Sequence, residues 1–133
     1  MLLNLTDLSD EPLQSQICTQ IRAKILAGEL PADTSLPSIR ALAREQHVSV
    51  ITVQRAYEHL MRENLIHSRR GKGFFVSELP GDQKREMARE RLLENLKRPI
   101  SSALAEGLSS DEIIDIISNI LAGNNKRNRG VTS

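Results

Sequence analysis

Apolar positions fall mostly at helical spacing along this chain. Leu13, Ile17, Ile21 and Ile25 stand four residues apart and form one stripe, which predicts a helix from Pro12 to Gly28. Asp10 or Glu11 can cap its start, Pro12 suits its first turn and Gly28 is a natural stop. Cys18 lies beside the stripe and reads as a small buried hydrophobe. GELPADTSLP, with two prolines among small polar residues, reads as a loop. Ser38 to Gln46 is predicted as a short helix with Ile39, Leu42 and Ala43 turned inward and Arg40 and Arg44 outward. Gln46-His47-Val48 is a tight turn, and Ser49 is an N-cap candidate for a helix starting there.

VSVITVQRAYEHL, from Val48 to Leu60, contains a conflict. Its first six residues are β-branched or hydroxyl-bearing and favour a strand, whereas the rest favours a helix. Two-residue alternation leaves neither face cleanly apolar. A helical register places Val53, Ala56, Tyr57, Leu60 and Met61 on one face, and the β-branched residues cost only a few tenths of a kcal/mol each. A helix from Ser49 to about Asn64 therefore wins. Leu65–Ser68 and Gly73–Val76 are strand-like, joined by the basic turn Arg69-Arg70-Gly71-Lys72, so a β-hairpin is predicted.

Pro80-Gly81 marks a boundary. Residues 82–98 read as a charged helix with Met87, Ala88, Leu92, Leu93 and Leu96 in a stripe, which Pro99 should end or kink before Ile100–Glu106 carries it on to Gly107. Ser109 and Glu112 form a capping box. The helix behind it holds Ile113, Ile114, Ile116, Ile117, Ile120 and Leu121 and is expected to stop at Gly123. So many apolar residues in so short a span require cover. The last ten residues, NNKRNRGVTS, read as a disordered basic tail.

Charge sharpens the division. The whole chain has a net charge of +1, but residues 37–76 hold seven basic and three acidic residues, net +4, between flanks of net −3 on each side. A basic centre between acidic flanks suits a nucleic-acid reader with a separate assembly region. One cysteine excludes an internal disulfide and a cysteine metal cluster, and fits a reducing cytoplasm. No apolar run approaches the roughly 20 residues of a membrane span, so no membrane partner is expected, and the acidic start does not resemble a signal peptide. Three aromatic residues are too few for a base-stacking surface on single strands.

Two helices joined by a tight turn and followed by a basic hairpin make a winged helix-turn-helix, with the Ser49 helix as recognition helix and the hairpin as wing. Val50 and Ile51 then make sense in its first turn, where they can meet thymine methyl groups or sugar-phosphate crevices. The alternative is that Ile51 packs on the neighbouring helix. Residues 12–76, with LPSIRALA, VSVITVQRAYEHL and RRGKGFFV in order, resemble the DNA-binding domain of the GntR family of bacterial transcriptional regulators. The short appendage is similar to the YtrA-like branch, in which about two helices used for dimerisation replace a large effector domain.

The resemblance implies that Arg40 reaches DNA, that Ser49 and Thr52 bind phosphate, that Gln54 reads a base, and that Arg70 and Gly71 at the wing tip enter the minor groove. Arg69 and Lys72 would add phosphate attraction. Val50 departs from an arginine common in the family, which weakens the expectation of a guanine contact there. Arg40 could instead pair with Glu45, and Arg55 could bond the neighbouring helix. The expected architecture is mainly α with a small β-wing: a winged helix-turn-helix domain over 1–78, a helical dimerisation region over 79–123 and the tail over 124–133. Leu92, Leu96, Ile113, Ile114, Ile117, Ile120 and Leu121 are the expected dimer contacts.

The expected function is sequence-specific binding of double-stranded operator DNA by a homodimer in the cytoplasm. The resemblance implies a repressor, often of its own operon and of a transporter operon. A small-molecule effector is compatible with it, seated at the dimer seam or beside the winged helix. No cofactor or metal is implied. Catalysis is disfavoured: the three histidines lack metal-ligand spacing, no nucleophile motif is present, and Glu86, Glu90 and Glu94 read as a solvated helix face. A winged-helix module that docks a protein rather than an operator is the other alternative, against which the basic wing argues.

Overall fold

A computed structural model describes the backbone of residues 1–131 and the side chains of residues 1–124. Five helices and one two-stranded sheet run in the order α1 (Leu13–Leu26), α2 (Ile39–Gln46), α3 (Val50–Arg62), β1 (Ile66–Arg69), β2 (Gly73–Val76), α4 (Gly81–Ala105) and α5 (Ser110–Val131). The chain divides into two compact units, Met1–Glu86 and Met87–Ser133. That division falls inside α4, further along than the boundary expected at 78. No helix among the described residues is long and apolar enough to cross a membrane.

The first unit is built on the stripes that periodicity picks out. Ile17, Ile21 and Ile25 of α1, Leu42 of α2, and Val53, Ala56, Tyr57 and Leu60 of α3 are fully buried, joined by Leu65, Ile66 and Val76 at the root of the hairpin. Burying each such aliphatic side chain contributes about 1.5–3 kcal/mol relative to leaving it in water. Cys18 is buried and its thiol donates to the Ala56 carbonyl oxygen across the α1–α3 seam at 3.4 Å. The cap of α1 differs from expectation: Pro12, not Asp10 or Glu11, is the N-cap residue, and no side chain caps it. The Glu11 carboxylate instead accepts from Thr19 Oγ1 further along the helix at 3.3 Å, and the Pro12 carbonyl accepts from Gln16 N–H.

Two long-range ties hold the unit at its edges. Arg22 is 4% exposed and clamps the Glu63 carboxylate through Nε and Nη2, the shortest contact being 2.6 Å. Gln16, also buried, accepts from Thr6 N–H and donates to the Thr6 and Glu11 carbonyls, while Gln20 brackets the Asn4 backbone in the same way. Two glutamines one turn apart thereby hold an extended amino-terminal arm along α1.

The hairpin pairs Ile66 with Val76 and Arg69 with Gly73 in antiparallel register. The preceding loop contributes more than its composition predicts. Ser35 bridges Phe75, and backbone bonds run from Leu36 N–H to Phe74 O and from Val76 N–H to Thr34 O, each 2.9 Å. This segment pairs with the outer edge of β2 and ties the wing to the start of α2.

In the second unit Pro99 lies inside α4 without ending it. An internal proline costs about 3 kcal/mol, but continuing the helix keeps Leu96, Pro99, Ile100 and Ala103 in line along an apolar groove that Ile113 and Ile117 complete. Ser109 and Glu112 make the expected reciprocal capping box, with bonds of 3.1 and 3.3 Å. Gly123 does not stop α5. Unlike Gly107, which takes φ +98° at the turn between the helices, it has no positive φ, and the backbone stays helical to Val131. The tail expected to be disordered over 124–133 is therefore helical in backbone up to Val131, and its last two residues lie outside the described residues.

Candidate nucleic-acid interface

The interface begins with the turn between α2 and α3. His47 closes α2 in the left-handed conformation, φ 56° and ψ 43°, which sends the chain sharply into Ser49. Ser49 is extended and its Oγ accepts from Thr52 N–H at 3.1 Å, so it caps α3 as the sequence predicts. Its Oγ also lies 2.8 Å from Thr52 Oγ1, so the two hydroxyls form one polar pair at the helix start. Helix geometry leaves the N–H groups of Val50 and Ile51 without intrahelical partners. These groups and the positive end of the helix dipole suit a phosphate oxygen.

Val50 and Ile51 are 45% and 59% exposed. Ile51 therefore does not pack away on the neighbouring helix, and both apolar side chains stand in solvent on the leading turn. Gln54 is exposed one turn further, with Nε2 donating to Glu58 Oε1 at 3.2 Å. Arg40 is exposed on the first turn of α2 and has no ion-pair partner among the described residues, Glu45 included. Arg55, which the sequence leaves between core and groove, is exposed too. The burial of Val53, Ala56, Tyr57 and Leu60 puts it on the opposite side of the helix, a placement the apolar stripe already contains.

At the wing the cations separate into two kinds. Arg69 donates to Asp33 Oδ1 at 2.7 Å and its guanidinium sits 4.2 Å above the Phe75 ring. It is committed within the fold, which limits the phosphate role expected for it. Nothing local predicts that pairing, since Asp33 is 36 residues away in sequence. Arg70, Gly71 and Lys72 form the exposed tip. Gly71 takes φ +74°, and Lys72 N–H donates to Arg69 O at 2.9 Å to close the turn. Arg70 and Lys72 are left pointing their charge at solvent.

Tyr57 links these pieces. Its hydroxyl donates to the Pro37 carbonyl at 2.7 Å, just ahead of α2, and its ring meets Phe74 of β2 edge-on at 4.9 Å. Burial pushes its hydroxyl well above the ordinary tyrosine value, and the Glu45 charge adds to that. The helix carrying Gln54, the segment leading to Arg40 and the strand carrying the wing thus share one buried side chain.

The residues expected to join two copies behave differently. None of the described residues from 87 to 124 is buried. Leu92, Leu93, Leu104, Ile114, Ile116, Ile120 and Leu121 are all exposed, Ile114 at 61%. Leu96, Ile113 and Ile117 are half-buried along the α4–α5 groove, which has a volume of about 180 Å³.

A short helix turning through a left-handed residue into a capped, exposed second helix, with a basic hairpin behind it, defines a winged helix-turn-helix DNA-binding domain. The profile described as bacterial regulatory proteins, gntR family, matches residues 13–76. The repressor YtrA of Bacillus subtilis is 32% identical over 114 residues, covering 86% of this chain and 88% of YtrA. A GntR family transcriptional regulator from Listeria monocytogenes superposes with a TM-score of 0.69 at 29% identity, over 86% of this chain and 98% of that one. The probable rhizopine catabolism regulatory protein MocR of Rhizobium meliloti is 43% identical over 74 residues, but this chain spans only 15% of its length. The chain belongs to the gntR family, in its YtrA-like branch. It is a transcriptional regulator with a helix-turn-helix DNA-binding domain, and not an enzyme.

Proposed function

We propose that the protein is a homodimeric repressor that binds a palindromic operator through the recognition helix 49–63 and the wing 65–76. The observation that carries this reading is the leading turn of α3, capped by Ser49 and holding Val50 and Ile51 out in solvent. A monomer gains nothing by exposing two β-branched residues there, whereas a major groove offers thymine methyl groups to cover them. Arg40, Ser49, Thr52 and Gln54 approach the duplex from the helix-turn-helix. Arg70, Gly71 and Lys72 approach from the wing, and Arg69 mainly braces it.

Dimerisation rests on the second unit, where two helices rich in leucine and isoleucine have no buried residue of their own among the described residues. A symmetric second copy covers such a face most economically, with Leu92, Leu96, Ile113, Ile114, Ile117, Ile120 and Leu121 as contacts. Two recognition helices would then meet half-sites about one helical turn apart. The groove's volume of about 180 Å³ is below the roughly 300–1,000 Å³ of most small-molecule pockets, which favours a partner helix over a metabolite as its occupant. As the family resemblance implies, the regulated genes would include its own operon and a transporter operon, acted on in the cytoplasm.

Footprinting on the promoter of the protein's own gene, with anisotropy titrations of the protected duplex, tests this. The salt dependence of log K should have a slope of about −0.9 per neutralised phosphate. Absence of any protected site, or affinity for duplex indifferent to salt, would sink the proposal and favour a protein-docking module.

A further inference from the structure

Gln54 and Glu58 stand one turn apart on the exposed side of α3, joined by a 3.2 Å bond from Gln54 Nε2 to Glu58 Oε1. A carboxylate only accepts, so this bond selects one of the two ways the amide can face: nitrogen toward Glu58, carbonyl oxygen away from it. An exposed glutamine without such a neighbour turns over freely and presents either group. We propose that Glu58 is a positioning residue that fixes the Gln54 amide and makes one base pair of each half-site read as adenine rather than guanine. The inference rests on the operator-binding reading above and adds to it the source of specificity at one position.

The donor and acceptor pattern of the bases gives the reason. Adenine presents an N6 amino donor and the N7 acceptor in the major groove. An amide held as Glu58 holds it matches both, with Oε1 accepting from N6 and the second Nε2 hydrogen donating to N7. Guanine presents two acceptors, O6 and N7, and accommodates Gln54 only if the amide turns its nitrogen toward O6. That turn breaks the bond to Glu58 and leaves a carboxylate facing the amide oxygen. The bond is weak in water and strengthens as the groove excludes water around it. The same carboxylate also opposes approach to phosphates, so removing it should raise overall affinity for duplex while flattening the preference. A merely structural contact within the helix would do neither.

The test uses the full chain and a pool of synthetic duplexes randomised across a palindromic window, with the bound fraction sequenced. Wild type, Gln54→Ala, Glu58→Ala and Glu58→Gln are compared. The expected result is an adenine preference in wild type that falls about tenfold in both alanine variants at the same base pair, with other positions unchanged. Glu58→Gln, whose amide oxygen can still accept from Gln54, should keep it. The proposal is overturned if Glu58→Ala retains the wild-type preference at every position, or if it and Gln54→Ala lose preference at different base pairs. Selection of no sequence by wild type would refute the operator-binding reading and this inference together. A clear wild-type preference that Glu58→Ala leaves intact would refute the inference alone.

Discussion

Tyr57→Phe removes one atom from the joint between recognition helix, wing and the lead into α2. Tyr57 is fully buried and its hydroxyl makes a 2.7 Å bond to the Pro37 carbonyl, which the variant leaves without that donor. Because Pro37 is only half-buried, water can reach its carbonyl in part, and the expected loss is about 1 kcal/mol rather than the full cost of an orphaned group. In a unit of this size that lowers Tm by about 4–8 °C.

The same residue supplies a second, independent readout. Tyr57 is the only tyrosine and the chain has no tryptophan, so phenolate absorbance reports this group alone. Its folded pKa is raised, first by burial and then by Glu45. A raised folded pKa contributes stability that is complete below the unfolded value near 10 and is lost as pH climbs toward the folded value. In an alkaline titration the phenolate signal should therefore appear above pH 10 and in step with the loss of helical circular dichroism. Tyr57→Phe should be less stable at pH 7 and less sensitive to alkali. Titration of Tyr57 near pH 10 while the helices stay folded, or a Tyr57→Phe midpoint equal to wild type, would refute the reasoning.

The same geometry sets three further outcomes. Ile117→Asp places a charge in the α4–α5 groove and should convert the dimer to monomer on a sizing column, while the circular dichroism of the first unit persists; an unchanged elution volume would contradict the assembly assignment. Arg70→Ala should weaken binding to operator duplex and reduce the salt slope by about one, with the elution volume unaltered; operator binding equal to wild type would make the wing tip irrelevant. Arg22→Met should cost about 2–3 kcal/mol in urea denaturation, less than the roughly 3–5 kcal/mol of a fully buried pair, because Glu63 keeps some solvent and a 3.3 Å contact with His59.

Much of the fold is legible in residue order because its causes are local. The stripe from Leu13 to Ile25, the cap at Ser49, the helix that overrides the β-branched run at Val50 and Ile51, the hairpin around Gly71 and the capping box at Ser109 each depend on residues within a turn or two of one another. Side-chain spacing and free backbone N–H groups decide such features whatever the rest of the chain does. The family resemblance of residues 12–76 rests on the same local patterns.

Tertiary structure decided what depends on distant partners. Asp33 takes Arg69 away from the wing's free charge, and Arg22 finds Glu63 across the α1–α3 seam. Ser35 extends the sheet through backbone bonds that no side-chain period announces. Pro99 and Gly123 look like stops, yet α4 and α5 run through them. At Pro99 a cost of about 3 kcal/mol is set against the apolar alignment of Leu96, Ile100 and Ala103 on either side of it. That alignment exists only once the chain has folded, so residue order shows the cost and the three-dimensional arrangement shows what offsets it.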